Sequence, residues 1–92
     1  MKFTYPAIFK KTEDGGYEGR FVDLAGCRAV GYDLDNAVRN LIEEEADWIR
    51  FELSEEDPSL PPVTDLEDVE TGEGEIALNV AANVRFYDGW DE

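Results

Sequence analysis

The sequence contains no histidine and only one cysteine, Cys27, among its 92 residues. Without histidine, the chain lacks the commonest general base and the commonest metal ligand of proteins. This absence excludes Ser-His and Cys-His nucleophilic systems. A lone cysteine forms no internal disulfide, and a free thiol is typical of a reducing compartment, so we expect a cytoplasmic protein.

Long apolar runs and basic clusters are missing as well. No segment reaches transmembrane length, and the start lacks the pattern of a signal peptide. The chain has no Gly-rich phosphate loop and no basic-aromatic patch, so we expect neither membrane contact nor direct nucleic-acid binding. Hydrophobic residues still make up 42% of the chain. That share is enough for one core, and we predict a single domain over residues 1–92.

The net charge of −15 is concentrated in one third of the chain. Residues 43–75 hold fourteen acidic side chains and one basic side chain, Arg50, whereas residues 1–42 hold six of each sign. Acidity by itself serves solubility, but its clustering here favours a basic partner.

Alternation of apolar residues predicts three strands in the first third of the chain, over residues 2–10, 17–22 and 27–31. Because Pro6 cannot donate to a ladder, we expect its amide position at an edge or a bulge. Asp33 predicts a helix N-cap, and an apolar stripe predicts a helix from Leu34 to about Leu53 that covers the sheet.

Two carboxylates interrupt the apolar stripe of this helix. Glu45 and Glu52 both project near its middle. Since unpaired carboxylates are almost never buried, we expect the last helical turns to overhang the sheet and leave both side chains in solvent. The alternative is that they meet a cation on a partner.

The remaining chain divides into an arm and a strand. Residues 54–75 contain three prolines, many acidic residues and no periodicity, and predict an extended acidic arm within the domain. Residues 75–86 alternate cleanly and predict a last strand. Small apolar residues on both of its faces, with Phe86, Tyr87 and Trp90 behind them, lead us to expect a homodimer or higher oligomer. The predicted fold is α+β, with the order β1-β2-β3-α1-β4: an antiparallel meander plus one helix packed on the sheet.

Carboxylates at the ends of elements raise the hypothesis of a metal-dependent nuclease. Asp14, Asp23 and Asp33 occupy such positions, but each has an ordinary role as a turn former or N-cap. Cys27 is expected to be a small buried strand residue. We therefore predict no catalytic residue, no metal site and no cofactor.

A series of short motifs runs in order through residues 2–70. Tyr5-Pro6-Ala7-Ile8-Phe9 precedes Gly15-Gly16-Tyr17, then Phe21-Val22-Asp23-Leu24-Ala25-Gly26-Cys27, then Gly31 and a helix containing Ala37 and Trp48. In this order and spacing the motifs resemble the HicB family of antitoxins. The resemblance implies a partial ribonuclease-H-like fold without nuclease activity and the sheet order β3-β2-β1-β4. It also implies that Asp23, Leu24 and Gly26 form a structural turn.

The resemblance further implies a partner: a HicA toxin, a small, mostly basic RNA-cleaving protein. Many family members continue into a DNA-binding helix-turn-helix or ribbon-helix-helix module, and because this sequence stops at Glu92 we expect no operator binding through such a module. We predict a non-enzymatic antitoxin that neutralises a small basic toxin ribonuclease. The alternative is a stand-alone oligomeric binding or regulatory domain.

We expect the partner-binding residues to be acidic side chains that act partly as a phosphate mimic, with apolar anchors between them. They are Glu45, Glu52, Glu55, Glu56, Asp57, Leu60, Val63, Asp65, Leu66, Glu67 and Asp68.

Overall fold

The computed structural model describes residues 1–55 and 59–84. Its elements are β1 (Lys2–Lys11), β2 (Tyr17–Phe21), β3 (Arg28–Gly31), α1 (Leu34–Leu53), a 3-10 helix (Leu66–Asp68) and β4 (Glu75–Asn83). The strands form one antiparallel sheet in the order β3-β2-β1-β4, and α1 packs on one of its faces. The predicted α+β class, the meander, the single helix and the strand order are confirmed.

Turn chemistry sets the β1–β2 hairpin. The Thr12 amide donates to the Gly16 carbonyl at 2.8 Å, and Gly15 occupies the left-handed region with φ +93°. Only glycine adopts such a conformation without strain, so the paired glycines fix where the chain reverses. The observed strands differ from the predicted ones by one residue at the end of β1, at the end of β2 and at the start of β3.

Pro6 lies in a strand that has neighbours on both sides. Its carbonyl accepts a hydrogen bond from the Val22 amide at 3.2 Å. Because the amide and carbonyl of one strand residue face the same neighbour, the donor that proline lacks would also have pointed toward Val22. That position lies just past the last β1–β2 pair, Ala7 with Phe21. β1 is therefore not an edge strand, and the missing donor of Pro6 falls at the end of the β1–β2 ladder instead of at a sheet edge or a bulge.

The helix has the predicted bounds, and its N-terminus is capped as expected. The Asp33 carboxylate accepts from the Asn36 amide at 2.8 Å. Gly31 lies directly against the first turn, and a Cβ there would overlap the backbone of Ala37. The absence of a side chain at Gly31 thus lets the start of α1 approach β3.

The core lies between α1 and one face of the sheet. Apolar side chains alternate into it from β1 and β4, and every fourth residue of α1 enters it from the other side. Its largest fully buried members include Phe9, Leu24, Leu41, Ile49 and Val84.

The arm contains regular structure that the sequence pattern did not predict. Its 3-10 helix at Leu66–Asp68 contacts β4. The last strand, predicted over residues 75–86, ends at Asn83 within the described residues, and residues 85 and 86 lie outside them. Phe86, Tyr87 and Trp90, named as possible contacts to a neighbour, lie outside the described residues.

Candidate partner-binding surface

The acidic arm is held to the sheet by two points of hydrogen bonding, which we call the arm clasp. The Tyr5 hydroxyl donates to the Pro61 carbonyl at 2.8 Å. Asp23 accepts from the Thr64 amide at 2.9 Å through Oδ2 and from the Thr64 hydroxyl at 2.7 Å through Oδ1. The arm therefore has a defined position over residues 61–64 instead of being a free linker.

The turn between β2 and β3 presents Asp23 to the arm. The Cys27 amide donates to the Leu24 carbonyl at 3.1 Å, and Gly26, with φ +76°, supplies the left-handed residue of the turn. The Leu24 side chain is fully buried, which anchors the turn in the core. The indole Nε1 of Trp48 donates to the Ala25 carbonyl at 3.0 Å, so α1 also holds this turn. The predicted structural roles of Leu24 and Gly26 agree with this geometry, whereas Asp23 does more than form a turn.

Glu45 is fully buried in the core, and the expectation that it lies in solvent is wrong. The helix does not overhang the sheet at this point, because Ile49 one turn later is buried as well. Neither Glu45 carboxyl oxygen has a hydrogen-bond partner within residues 1–55 and 59–84. Burial raises the pKa of Glu45 to about 8, so the side chain is largely protonated at neutral pH. Glu52 is half-buried.

Two further titratable groups lie close to Glu45. Burial raises the pKa of the Tyr5 hydroxyl, and the charges of Asp23 and Glu45 add to the effect. Burial also raises the pKa of the Cys27 thiol to about 12, with the carboxylates of Glu44, Glu45 and Asp47 contributing. Cys27 is buried, as predicted, and is a neutral thiol at physiological pH.

The predicted apolar anchors divide into two kinds. Leu60 packs against the chain's own core. Val63 and Leu66 are 54% and 36% exposed, respectively. The Leu60 side chain thus holds the arm against the core, whereas the side chains of Val63 and Leu66 face solvent.

The acidic side chains of the arm that are predicted to bind the partner are exposed in the described ranges and lack cationic partners there, whereas Glu75 at the end of the arm pairs with Arg20. Glu55, Asp65, Glu67 and Asp68 are all exposed, and none forms an ion pair there. Glu56 and Asp57 fall outside the described residues. Together with Val63 and Leu66, these four carboxylates form what we call the arm surface.

The carboxylates considered for a nuclease have other roles. Hydrogen bonds from the Thr12 hydroxyl and then from the Gly16 amide hold the pKa of Asp14 below its usual value. Asp33 caps α1, and Asp23 holds Thr64. Within the described residues, no group of three or more His, Cys, Asp or Glu side chains is placed to hold a metal ion. No helix in that part of the chain is both long and apolar enough to cross a membrane.

The sequence did not reveal the arm clasp. The sequence indicates a strand residue at Tyr5 and a turn residue at Asp23, and nothing in it pairs either of them with Pro61 or Thr64. Their partners lie 56 and 41 residues away along the chain. No local pattern contains such a pairing, although the Phe-x-Asp-Leu motif contains one of its residues.

Neither a protein-family model nor a curated protein matches the sequence. Among solved structures, the chain is similar to one titled "HicA3 and HicB3 toxin-antitoxin complex", with 26% identity and a TM-score of 0.66, over 90% of this chain and 99% of that chain. It is also similar to one titled "Toxin-Antitoxin complex from Streptococcus pneumoniae", with a TM-score of 0.69, over 100% of this chain and 79% of that chain. At 18% identity the second likeness shows the fold alone. These neighbours are toxin–antitoxin complexes, and they agree with the resemblance of this chain to HicB-like antitoxins.

Proposed function

We propose that this chain is a non-enzymatic antitoxin that binds and neutralises a small basic RNA-cleaving toxin of the HicA type. One observation carries the proposal: the fold matches a chain of a HicA–HicB complex over nine tenths of its length, at 26% identity. The order of motifs over residues 2–70 supports the same assignment independently of the fold.

The arm surface is the contact that we assign to the toxin. It combines four unpaired carboxylates with two exposed apolar side chains, Val63 and Leu66. The carboxylates attract a basic surface and take the place of RNA phosphates on it, while the apolar side chains supply contacts that slow dissociation. We include Glu52, Glu56 and Asp57 in the same contact.

The arm clasp makes this surface suitable for tight binding. Ordering a flexible segment on association costs free energy, which lowers affinity. Because Tyr5 and Asp23 already hold residues 61 and 64, part of that cost is met when the chain folds. Glu45 is buried, and Leu60 is partly buried against the core, so we assign both to the support of the arm and not to direct contact with the toxin.

The proposal predicts a small basic reading frame next to the gene, and co-expression with that frame tests the function. We expect that frame alone to arrest growth, its purified product to cleave RNA, and this chain to stop both. A growth arrest that this chain does not relieve, or the absence of any such reading frame, would contradict the proposal.

Association kinetics with that toxin test the surface. In the triple variant Asp65→Asn, Glu67→Gln and Asp68→Asn, we expect slower association and a weaker dependence of the association rate on salt, since exposed charges are screened within about 10 Å at 0.1 M ionic strength. The charge-matched control is Glu13→Gln, Glu18→Gln and Asp35→Asn, which removes three negative charges outside the arm. Equal rates for the two variants would show that only net charge matters.

A further inference from the structure

β4 is an edge strand whose outward peptide groups have no partner in the described chain. The Val84 amide donates to the Met1 carbonyl at 2.8 Å, and the Met1 amino group donates to the Val84 carbonyl at 3.1 Å. In an antiparallel ladder, bonded residues alternate with unbonded ones, so the even-numbered residues of β4 bond to β1. The register of Tyr5 with Val80 continues this pattern. The amides and carbonyls of four residues therefore point away from the sheet: Ala77, Asn79, Ala81 and Asn83.

The opposite edge of the sheet is protected. β3 has only four residues, and one of them is Arg28. The Nδ2 of Asn40 donates to the outward carbonyl of Val30 at 2.8 Å. Short length, charge and a covering side chain are the usual means by which proteins keep an edge from pairing. β4 has nine residues and carries no charged side chain after Glu75.

The charge distribution indicates which molecule pairs with the free edge of β4. A basic partner is attracted to the acidic arm, whereas residues 76–83 offer it no countercharge. Two copies of a chain with net charge −15 repel each other, and that repulsion is smaller where they meet through the uncharged residues 76–83 than where they meet through the acidic arm. An antiparallel strand is also complementary to itself about a two-fold axis.

We propose that two copies of this chain pair their β4 strands antiparallel about a two-fold axis at Val80, forming a continuous eight-stranded sheet. In this register Ala77 faces Asn83 of the second copy, and Asn79 faces Ala81. All four outward residues are then paired, and Glu75 stays outside the ladder. Ile76, which is 40% exposed, then lies beside the strand of the second copy. The pairing does not depend on the proposed toxin binding.

Sedimentation equilibrium and amide hydrogen exchange on the full chain test the pairing. We expect a dimer at tens of micromolar, with the amides of Ala77, Asn79, Ala81 and Asn83 protected in the dimer and exchanging freely on dilution to the monomer. A monomer at several hundred micromolar would overturn the proposal. So would a dimer in which these four amides exchange freely, or protection that appears only when the toxin is added.

Substitutions at the edge provide a second test. Ala81→Pro removes an amide that points away from the sheet, so no hydrogen bond between β4 and β1 is lost. Each copy loses one hydrogen bond to its partner, which makes two per dimer. We expect the dimer dissociation constant to rise by about tenfold or more. The matched control is Val30→Pro, which removes an outward amide from the β3 edge and leaves the dissociation constant unchanged.

A pair of isosteric changes avoids the risk that proline disturbs folding. Asn79→Asp with Asn83→Asp places like charges along the shared edge, and we expect the dimer to weaken by about tenfold or more. Ser59→Asp with Thr71→Asp adds the same charge elsewhere on the exposed surface. Equal weakening by both pairs would overturn the assignment of β4 as the interface.

Discussion

The carboxylate of Asp23 accepts two hydrogen bonds from Thr64, one from its amide at 2.9 Å and one from its hydroxyl at 2.7 Å, across 41 residues of sequence. A carboxylate with two donors on one residue fixes both the position and the orientation of that residue. Asp23 therefore connects the turn after β2 to the middle of the acidic arm.

Removal of this carboxylate should release the arm. We expect Asp23→Ala to lower the free energy of unfolding by about 2 kcal/mol, since hydrogen bonds to a charged group contribute about 1.5–3 kcal/mol. Amide exchange at Thr64 should accelerate more than exchange in β1. Asp65→Ala, one residue from Thr64 and exposed, is the control and should change neither quantity. An unchanged Thr64 amide in Asp23→Ala would show that the bond does not hold the arm.

Glu45 should make the protein less stable as pH rises. Its pKa is about 8 in the folded chain, above the value of an exposed glutamate, so between about pH 5 and pH 8 the folded state binds more protons than the unfolded state. Stability is then highest below that window and falls by a few kcal/mol across it. Tyr5 and Cys27, the neighbouring groups on the sheet side, titrate above the window.

Chemical denaturation at several pH values measures this effect. Glu45→Gln keeps the shape of the side chain and cannot ionise, so its stability should vary less with pH and exceed that of the wild type at pH 8. Glu44→Gln, exposed and adjacent, should keep the wild-type pH profile. Parallel profiles for the wild type and Glu45→Gln would mean that Glu45 is ionised in the folded chain at neutral pH.

The thiol of Cys27 should be unreactive in the folded protein. Its pKa of about 12 and its burial leave little accessible thiolate at pH 8. We expect alkylation by iodoacetamide to be slower by about a hundredfold or more than in 6 M guanidinium chloride. Equal rates in the two solutions would place the thiol at the surface.

Incubation with structured and single-stranded RNA should show no cleavage in the presence of Mg²⁺ or Mn²⁺. The reason is that Asp14, Asp23 and Asp33 serve a turn, the arm and a helix cap in separate places. Metal-dependent cleavage that Asp23→Asn abolishes would contradict this view.

Elements whose signals are local could be predicted from the sequence. The bounds of α1 follow from its cap and its apolar period, and the hairpin follows from Gly15 and Gly16. The strand order came from the resemblance to a family and not from the pattern itself. The burial of Glu45 was not predictable, because the rule that carboxylates avoid the core assumes the ionised form, and only the packed core shifts its protonation.

The position of the arm was missed for a different reason. Prolines and acidic residues indicate a segment without periodic burial. They carry no information about a contact between that segment and a strand that is distant in the sequence. The contacts of Pro61 and Thr64 use a carbonyl, an amide and a hydroxyl, groups that many loop residues also carry. The prediction named the residues of the arm surface, and their binding to a partner stays a prediction. It also named Glu45, which is fully buried, and Leu60, which packs partly buried against the core.

The bond between Asp23 and Thr64 also closes a noncovalent ring in the chain, and that ring contains β3 and all of α1. The arm cannot leave the turn after β2 without opening this bond, and Trp48 of α1 donates to the same turn. We therefore expect the arm and the helix to open together as one cooperative unit. A ligand that binds only the ordered arm must then stabilise the helix too, through mass action on their shared opening equilibrium. Slower amide exchange in the first turns of α1 on toxin binding would thus arise in residues outside the proposed contact, which includes Glu52 near the end of the helix.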